Sequence, residues 1–184
     1  MLNVISGLLG DGAGGGGANS FESIATVTGN GTTNTYTFSS IAGTYKHLQL
    51  RCSAIYASTT GAVLKMQFNG DTATTYSYHD LQGSGTAAAA AGAANASNLI
   101  LTSSQQNGII TYPNVAIADI IDYASTSKNK TIRSFYGAEQ NAAGGEVGIT
   151  SGVWRSTAAI TSITIFTSPN LNTGTTFALY GIKG

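Results

Sequence analysis

Charge is what this chain has least of. Eight basic and eight acidic side chains are spread over 184 residues and sum to zero, so there is no field to steer nucleic acid or an anionic membrane. Cysteine is almost missing. Cys52 stands alone, which excludes an intramolecular disulfide and a multi-cysteine zinc cluster and leaves the fold to burial and backbone pairing. Long hydrophobic runs are absent too: the opening stretch Met1 to Leu9 is far shorter than the ~20 residues that cross a bilayer. That stretch also lacks the basic n-region and longer apolar segment of a secretory signal. No G-x-S-x-G elbow, Walker loop, H-E-x-x-H helix or dinucleotide fingerprint occurs, and the glycines of Gly14 to Gly17 are not followed by the Lys-Ser/Thr that cradles phosphate. The expectation is a protein that is not an enzyme, takes no cofactor or metal, and has neither nucleic acid nor membrane as a partner.

What is present is strand-length apolar material. Of all residues 42% are apolar, and a chain of this length typically removes roughly 70% of its unfolded surface from water. His47 to Tyr56 sets Leu48, Leu50, Cys52 and Ala54 on one face against Gln49, Arg51 and Ser53, the period of a half-buried strand. Ser23 to Thr28 and Thr35 to Ser40 flank Gly29-Asn30-Gly31 and read as a hairpin. Leu64 to Phe68 and Tyr76 to Leu81 flank Asn69-Gly70-Asp71 and read as a second one. Six further segments rich in β-branched or aromatic residues follow: Asn98 to Leu101, Val115 to Tyr123, Thr131 to Tyr136, Val147 to Trp154, Ile160 to Thr167 and Phe177 to Ile182. Ten or eleven short strands result, which predicts an all-β, antiparallel, jelly-roll-like β-sandwich. The alanine run Thr86 to Ala94, interrupted by Gly92, is predicted to be a loop or a single helical turn.

The sandwich is assigned to residues 21–184, and residues 1–20 to an extended N-terminal arm with a glycine-rich linker. The arm carries Leu2, Val4, Ile5, Leu8 and Leu9. It is either a frayed end or an anchor whose apolar side chains, at helical spacing or in an added strand, fill a groove on a partner. Extended, Gly10 to Ser20 would span up to ~35–40 Å.

Candidate chemistry is thin. His79 and Asp80 are adjacent on a strand and so face opposite ways. Asp119 and Asp122 also fall on opposite faces, and Asp122 reads as a turn cap. Glu139 and Glu146 bracket a loop and would make a carboxylate pair of the kind glycoside hydrolysis needs, or simply two solvated strand ends. Tyr76, Tyr78, Tyr112, Tyr123, Tyr136 and Trp154 include a candidate sugar-stacking platform, although aromatics at strand spacing are usually core. Trp154 with Arg155 at a strand end is the best candidate for an exposed surface contact.

Several strings taken together resemble a known family: Ser23-Ile-Ala-Thr-Val-Thr, Tyr36-Thr-Phe-Ser-Ser-Ile41, Thr44-Tyr-Lys-His-Leu-Gln-Leu-Arg51 and Phe68-Asn-Gly-Asp-Thr72. Asp119-Ile-Ile-Asp-Tyr-Ala124, Lys130-Thr-Ile-Arg-Ser134, Ser151-Gly-Val-Trp-Arg155 and Phe177-Ala-Leu-Tyr-Gly-Ile-Lys183 extend the likeness over nearly the whole body. The chain resembles a β-rich virion structural protein of tailed bacteriophages, cyanophages among them. That resemblance implies a non-enzymatic component on the outer surface of the phage particle, either a capsid cement (decoration) protein or a part of a tail or head fibre. With no heptad or fixed-period repeat to build a fibre stalk, cement is the favoured form. Its expected partners are the major capsid protein and other copies of itself, as a homotrimer at the local threefold sites of a capsid lattice. The fibre alternative adds a glycan on a host surface as ligand.

Overall fold

A computed structural model of the chain describes residues 20–58, 62–102, 112–139 and 145–184. Leu2, Val4, Ile5, Leu8 and Leu9, the residues expected to dock, lie outside them. Among the described residues there are twelve strands and no helix: β1 Phe21–Thr28, β2 Thr35–Phe38, β3 His47–Ala54, β4 Lys65–Phe68, β5 Tyr76–Gly83, β6 Ala88–Ala96, β7 Leu99–Ile100, β8 Asn114–Ile121, β9 Lys130–Ala138, β10 Glu146–Trp154, β11 Ile163–Phe166 and β12 Thr176–Ile182. They form an eight-stranded sheet, ordered β1-β12-β3-β8-β9-β10-β5-β6, and a four-stranded sheet, ordered β2-β11-β4-β7.

The order explains the architecture. Positions β1, β12, β3 and β8 of the large sheet are joined in sequence to β2, β11, β4 and β7 of the small sheet, so each of those connections crosses between sheets. This is a jelly roll of eight strands, and the expected sandwich is what the chain builds. Two antiparallel pairs, β5 with β6 and β9 with β10, are inserted into it and extend the large sheet beyond β8.

Both predicted hairpins are corrected by this topology. β1 pairs with β12 and β2 with β11, while β4 pairs with β11 and β7, and β5 with β10 and β6. The turn at Asn69-Gly70 is there, with both residues at positive φ (52° and 68°), but it arches from one sheet to the other. Its hydrogen bonds show why: Asn69 Oδ1 accepts from the amides of Thr161 and Ser162 at 2.8 and 3.1 Å, and Nδ2 donates to the Ala159 carbonyl at 2.8 Å. The turn is fastened to the entry of β11, not to a hairpin partner.

The alanine run is a second correction. Ala88 to Ala96 is the edge strand β6, paired with β5 through Gly83↔Ala88 to Tyr76↔Ala96. Alanine's helix preference amounts to a few tenths of a kcal/mol per residue over most other residues, and a ready template strand outweighs it.

The interior between the sheets is apolar. Leu48, Leu50, Cys52, Phe177 and Leu179 of the large sheet meet Phe38, Met66, Phe68, Ile163 and Ile165 of the small one. The most deeply buried charged side chain among the described residues is Lys130, whose Nζ donates to the carbonyls of Ser125, Lys128 and Thr157 at 2.6, 2.7 and 3.2 Å. Burial pushes its pKa down, and three carbonyl acceptors offset the cost of leaving water.

Candidate functional site

The outward side of four adjacent strands carries large apolar side chains that the fold leaves in water. Leu81 on β5, Ile149 on β10, Phe135 on β9 and Ile117 on β8 are successive cross-strand neighbours, exposed by 56%, 41%, 60% and 45%. Val147 and Val115 flank Gly137 in the next row and are also exposed. With strands ~4.8 Å apart and ~6.8 Å per two residues, two rows over four strands cover on the order of 300 Å². Apolar patches of that extent on a soluble protein are often functional. A polar row bounds the face on one side, where Asp119 and Arg133 are neighbours and Gln49 Nε2 donates to Asp119 Oδ1 at 2.9 Å. On the β3 side the boundary is Arg51, the cross-strand neighbour of Ile117, whose guanidinium lies 4.8 Å from the Tyr180 ring centroid and 5.9 Å from that of Phe21.

The inward side of the same extension is unusually polar. Asp80, Ser134 and Thr150 are all buried. The Tyr136 and Thr150 hydroxyls donate to Asp80 Oδ1 at 2.7 and 3.0 Å, and Ser134 Oγ donates to the Leu101 carbonyl at 2.8 Å. Gly148 makes the first of these bonds possible, because a Cβ there would overlap the Tyr136 hydroxyl.

Beyond this network the inter-sheet space opens into a cleft of about 540 Å³. Tyr78, Asp80 and Gln82, alternate residues of β5, line it together with Lys65 of β4 and Asn98 before β7. The small side chains of Ala89 to Ala91 on β6 keep it open.

No family model, curated protein or solved structure matches this chain.

The residues singled out by sequence fall in three groups. Trp154 is not a surface contact: it is 3% exposed and packs on Phe68 and Tyr76 at centroid distances of 5.6 and 6.3 Å. Strand β10 turns it inward in the same phase as Gly152, and its indole Nε1 donates to Asp71 Oδ2 at 2.7 Å. Arg155 is exposed, as expected, but its Nη2 is held by the Thr74 carbonyl and Asn95 Oδ1 at 2.6 and 2.8 Å. It closes the sheet end and is not a free contact. Tyr76, Tyr123 and Tyr136 are core, Tyr78 is half-buried at the cleft, and Tyr112 is exposed.

The titratable candidates are dispersed. His79 is exposed and Asp80 buried, on opposite faces. Asp122, at φ 49°, holds Lys128 at 2.7 Å and stands 3.7 Å from Lys46 and from His47. The Lys128 ammonium keeps its carboxyl below the usual range. Glu146 is buried opposite Ala138 and Glu139 is exposed one residue beyond. Among the described residues no three His, Cys, Asp or Glu side chains gather as a metal site would need. Sequence reading missed the outward row, because alternation marks a strand without saying which face is inside.

Proposed function

We propose that this chain is a non-enzymatic structural protein of a tailed-phage particle. In this reading it is a cement protein on the outer surface of the virion that docks on neighbouring major capsid protein subunits, with further copies of itself completing a homotrimer. The observation that carries the reading is the uncovered apolar row Leu81, Ile149, Phe135 and Ile117. The family resemblance supplies the setting, and the apolar side chains Leu2, Val4, Ile5, Leu8 and Leu9 supply a second attachment.

Magnitudes favour two attachments over one. Burying about 300 Å² of apolar surface at about 25 cal/mol per Å² yields roughly 7 kcal/mol gross. Association costs an estimated 4–15 kcal/mol before any net affinity remains. A single face is therefore marginal, and an arm that adds a tethered contact, repeated around a shell, makes attachment firm.

The test is occupancy on purified particles. Deleting residues 1–17, or replacing Phe135 and Ile149 by Ser, is expected to lower the amount bound and the heat stability of the shell. Unchanged occupancy in both variants would sink the docking role. Copies per particle, read from a stained gel, separate cement, which needs one at each of many lattice sites, from the fibre alternative, which needs few.

A further inference from the structure

We propose that the cleft between β5, β6 and the β4–β7 edge binds a neutral saccharide unit. Three features of its lining point there. The first is an oriented carboxylate: Asp80 is 5% exposed, both of its hydrogen bonds, from Tyr136 and Thr150, end on Oδ1, and among the described residues Oδ2 has no donor. That second oxygen is left to accept from whatever occupies the cleft that Asp80 lines. The second is further idle polar capacity around the same cleft. Gln82 Oε1 is buried without a partner, and the Lys65 ammonium and Tyr78 hydroxyl are not used in any hydrogen bond among the described residues. The third is shape: a cleft of about 540 Å³ lies in the range of small-ligand sites, roughly 300–1,000 Å³, and Tyr78 and the β6 alanines give it apolar surface beside the polar groups.

The chemistry selects the class. An anion is opposed by Asp80, and an apolar ligand would leave Asp80, Gln82 and Lys65 desolvated and unpaired. A pyranose ring offers several hydroxyls that both donate and accept, and a C–H face that packs against an aromatic ring. Donor hydroxyls suit Asp80 Oδ2, acceptor oxygens suit Lys65 Nζ, and the C–H face suits Tyr78. The inference is independent of the docking role, since a cement protein or a fibre would carry the cleft equally well.

The experiment is a titration of the isotope-labelled full chain with glucose, galactose, mannose and N-acetylglucosamine, followed by amide chemical shifts. At least one sugar is expected to give saturable shifts at Tyr78, Gln82 and Asn98. Tyr78→Ala and Asp80→Asn should each weaken that binding by about tenfold or more, the equivalent of one well-made hydrogen bond or stacking contact. Melting curves show whether each variant is folded. If Asp80→Asn fails to fold, Tyr78→Ala and Gln82→Ala carry the test. The proposal is overturned if none of the four sugars gives saturable shifts, if the shifts fall on the outward row around Phe135, or if folded Tyr78→Ala binds as well as wild type. Tyr78→Ala should leave particle occupancy unchanged, so loss of sugar binding and loss of docking are read separately.

Discussion

The two halves of the large sheet treat their faces in opposite ways. In the jelly-roll half, β3 sends Leu48, Leu50 and Cys52 inward and Gln49, Arg51 and Ser53 outward. In the extension, β9 and β10 send Ser134, Tyr136 and Thr150 inward and Phe135, Val147 and Ile149 outward. Strand β3 obeys the usual division between apolar interior and polar surface, which begins to fail at β8, where Val115, Ile117 and Ile121 face outward. The extension has hydroxyls and a carboxylate where a core would be, and apolar side chains where water is. A fold that only had to be stable would gain by exchanging the two, which is why the docking proposal rests on the extension.

The largest expected effect tests that contrast directly. Leu50→Ala removes a fully buried side chain and should cost about 2–5 kcal/mol in denaturant unfolding. Phe135→Ala, at a residue 60% exposed, should change stability by no more than about 0.5 kcal/mol. A cost at Phe135 close to that at Leu50 would mean that the outward row is already covered in the isolated protein.

Next in size is a pair of glycines within the extension. Gly148→Ala drives a methyl into the Tyr136 hydroxyl and towards the Leu81 carbonyl, and overpacking of this kind costs about 1–3 kcal/mol. Gly83→Ala, on the neighbouring strand, meets open space and should be neutral or slightly stabilising, since alanine lowers the entropy of the unfolded chain. Equal thermal shifts for the two would show that the Tyr136–Asp80 arrangement is loose.

These contrasts mark what could be read from the residues. The β3 alternation was legible because one face is wholly apolar and the other wholly polar. On β8 both faces are largely apolar, Ala116, Ala118 and Ile120 inside and Val115, Ile117 and Ile121 outside, with Asp119 the one charged residue among the latter, and a single residue is a weak guide to which face is inside. Asn69-Gly70 announced a turn through its left-handed backbone, yet the destination of the following strand depended on where Asn69's side chain finds partners ninety residues on. Trp154 looked like a contact beside Arg155 because strand phase near an end is set by the partner strand, and its partner Asp71 is distant in sequence. The alanine strand β6 was hidden because its stability comes from pairing with β5, not from its own composition.

An effect of the same order separates the polar network from the apolar core. Tyr136→Phe keeps the ring that fills the interior and removes the hydroxyl that donates to Asp80. A loss of about 1–3 kcal/mol is expected, the cost of leaving a buried charged acceptor short of a donor. Thermal melts check it, and a change near zero would mean that water or another donor replaces the hydroxyl at no cost.

The smallest effect is in the acid range and distinguishes the two halves by their carboxylates. Asp71 ties the β4–β5 arch to β10, and its pKa is held below the usual value by the Trp154 indole first, with Thr75 and the Ala73 amide adding to it and burial opposing. Asp122 sits at the jelly-roll end and is held low by Lys128. For a carboxyl whose folded pKa is depressed, the stabilisation is fully present above the unfolded value of about 3.9 and is lost as pH falls through the folded pKa. Stability should therefore be level from neutral pH down to about pH 5 and decline below about pH 4. Solvent screens both groups, so each contributes modestly. Asp71→Asn retains an oxygen to accept from Trp154 while removing the ionisation, and should flatten part of the acid decline. Trp154 is the single tryptophan, so its emission reports the place where the extension packs on Phe68 and is tied to Asp71. In wild type that emission should shift at a higher pH than the loss of sheet signal in circular dichroism, and in Asp71→Asn the gap between the two should close. Coincident transitions in wild type would instead make the extension and the jelly roll one cooperative unit, with their opposite polarity a matter of surface and not of stability.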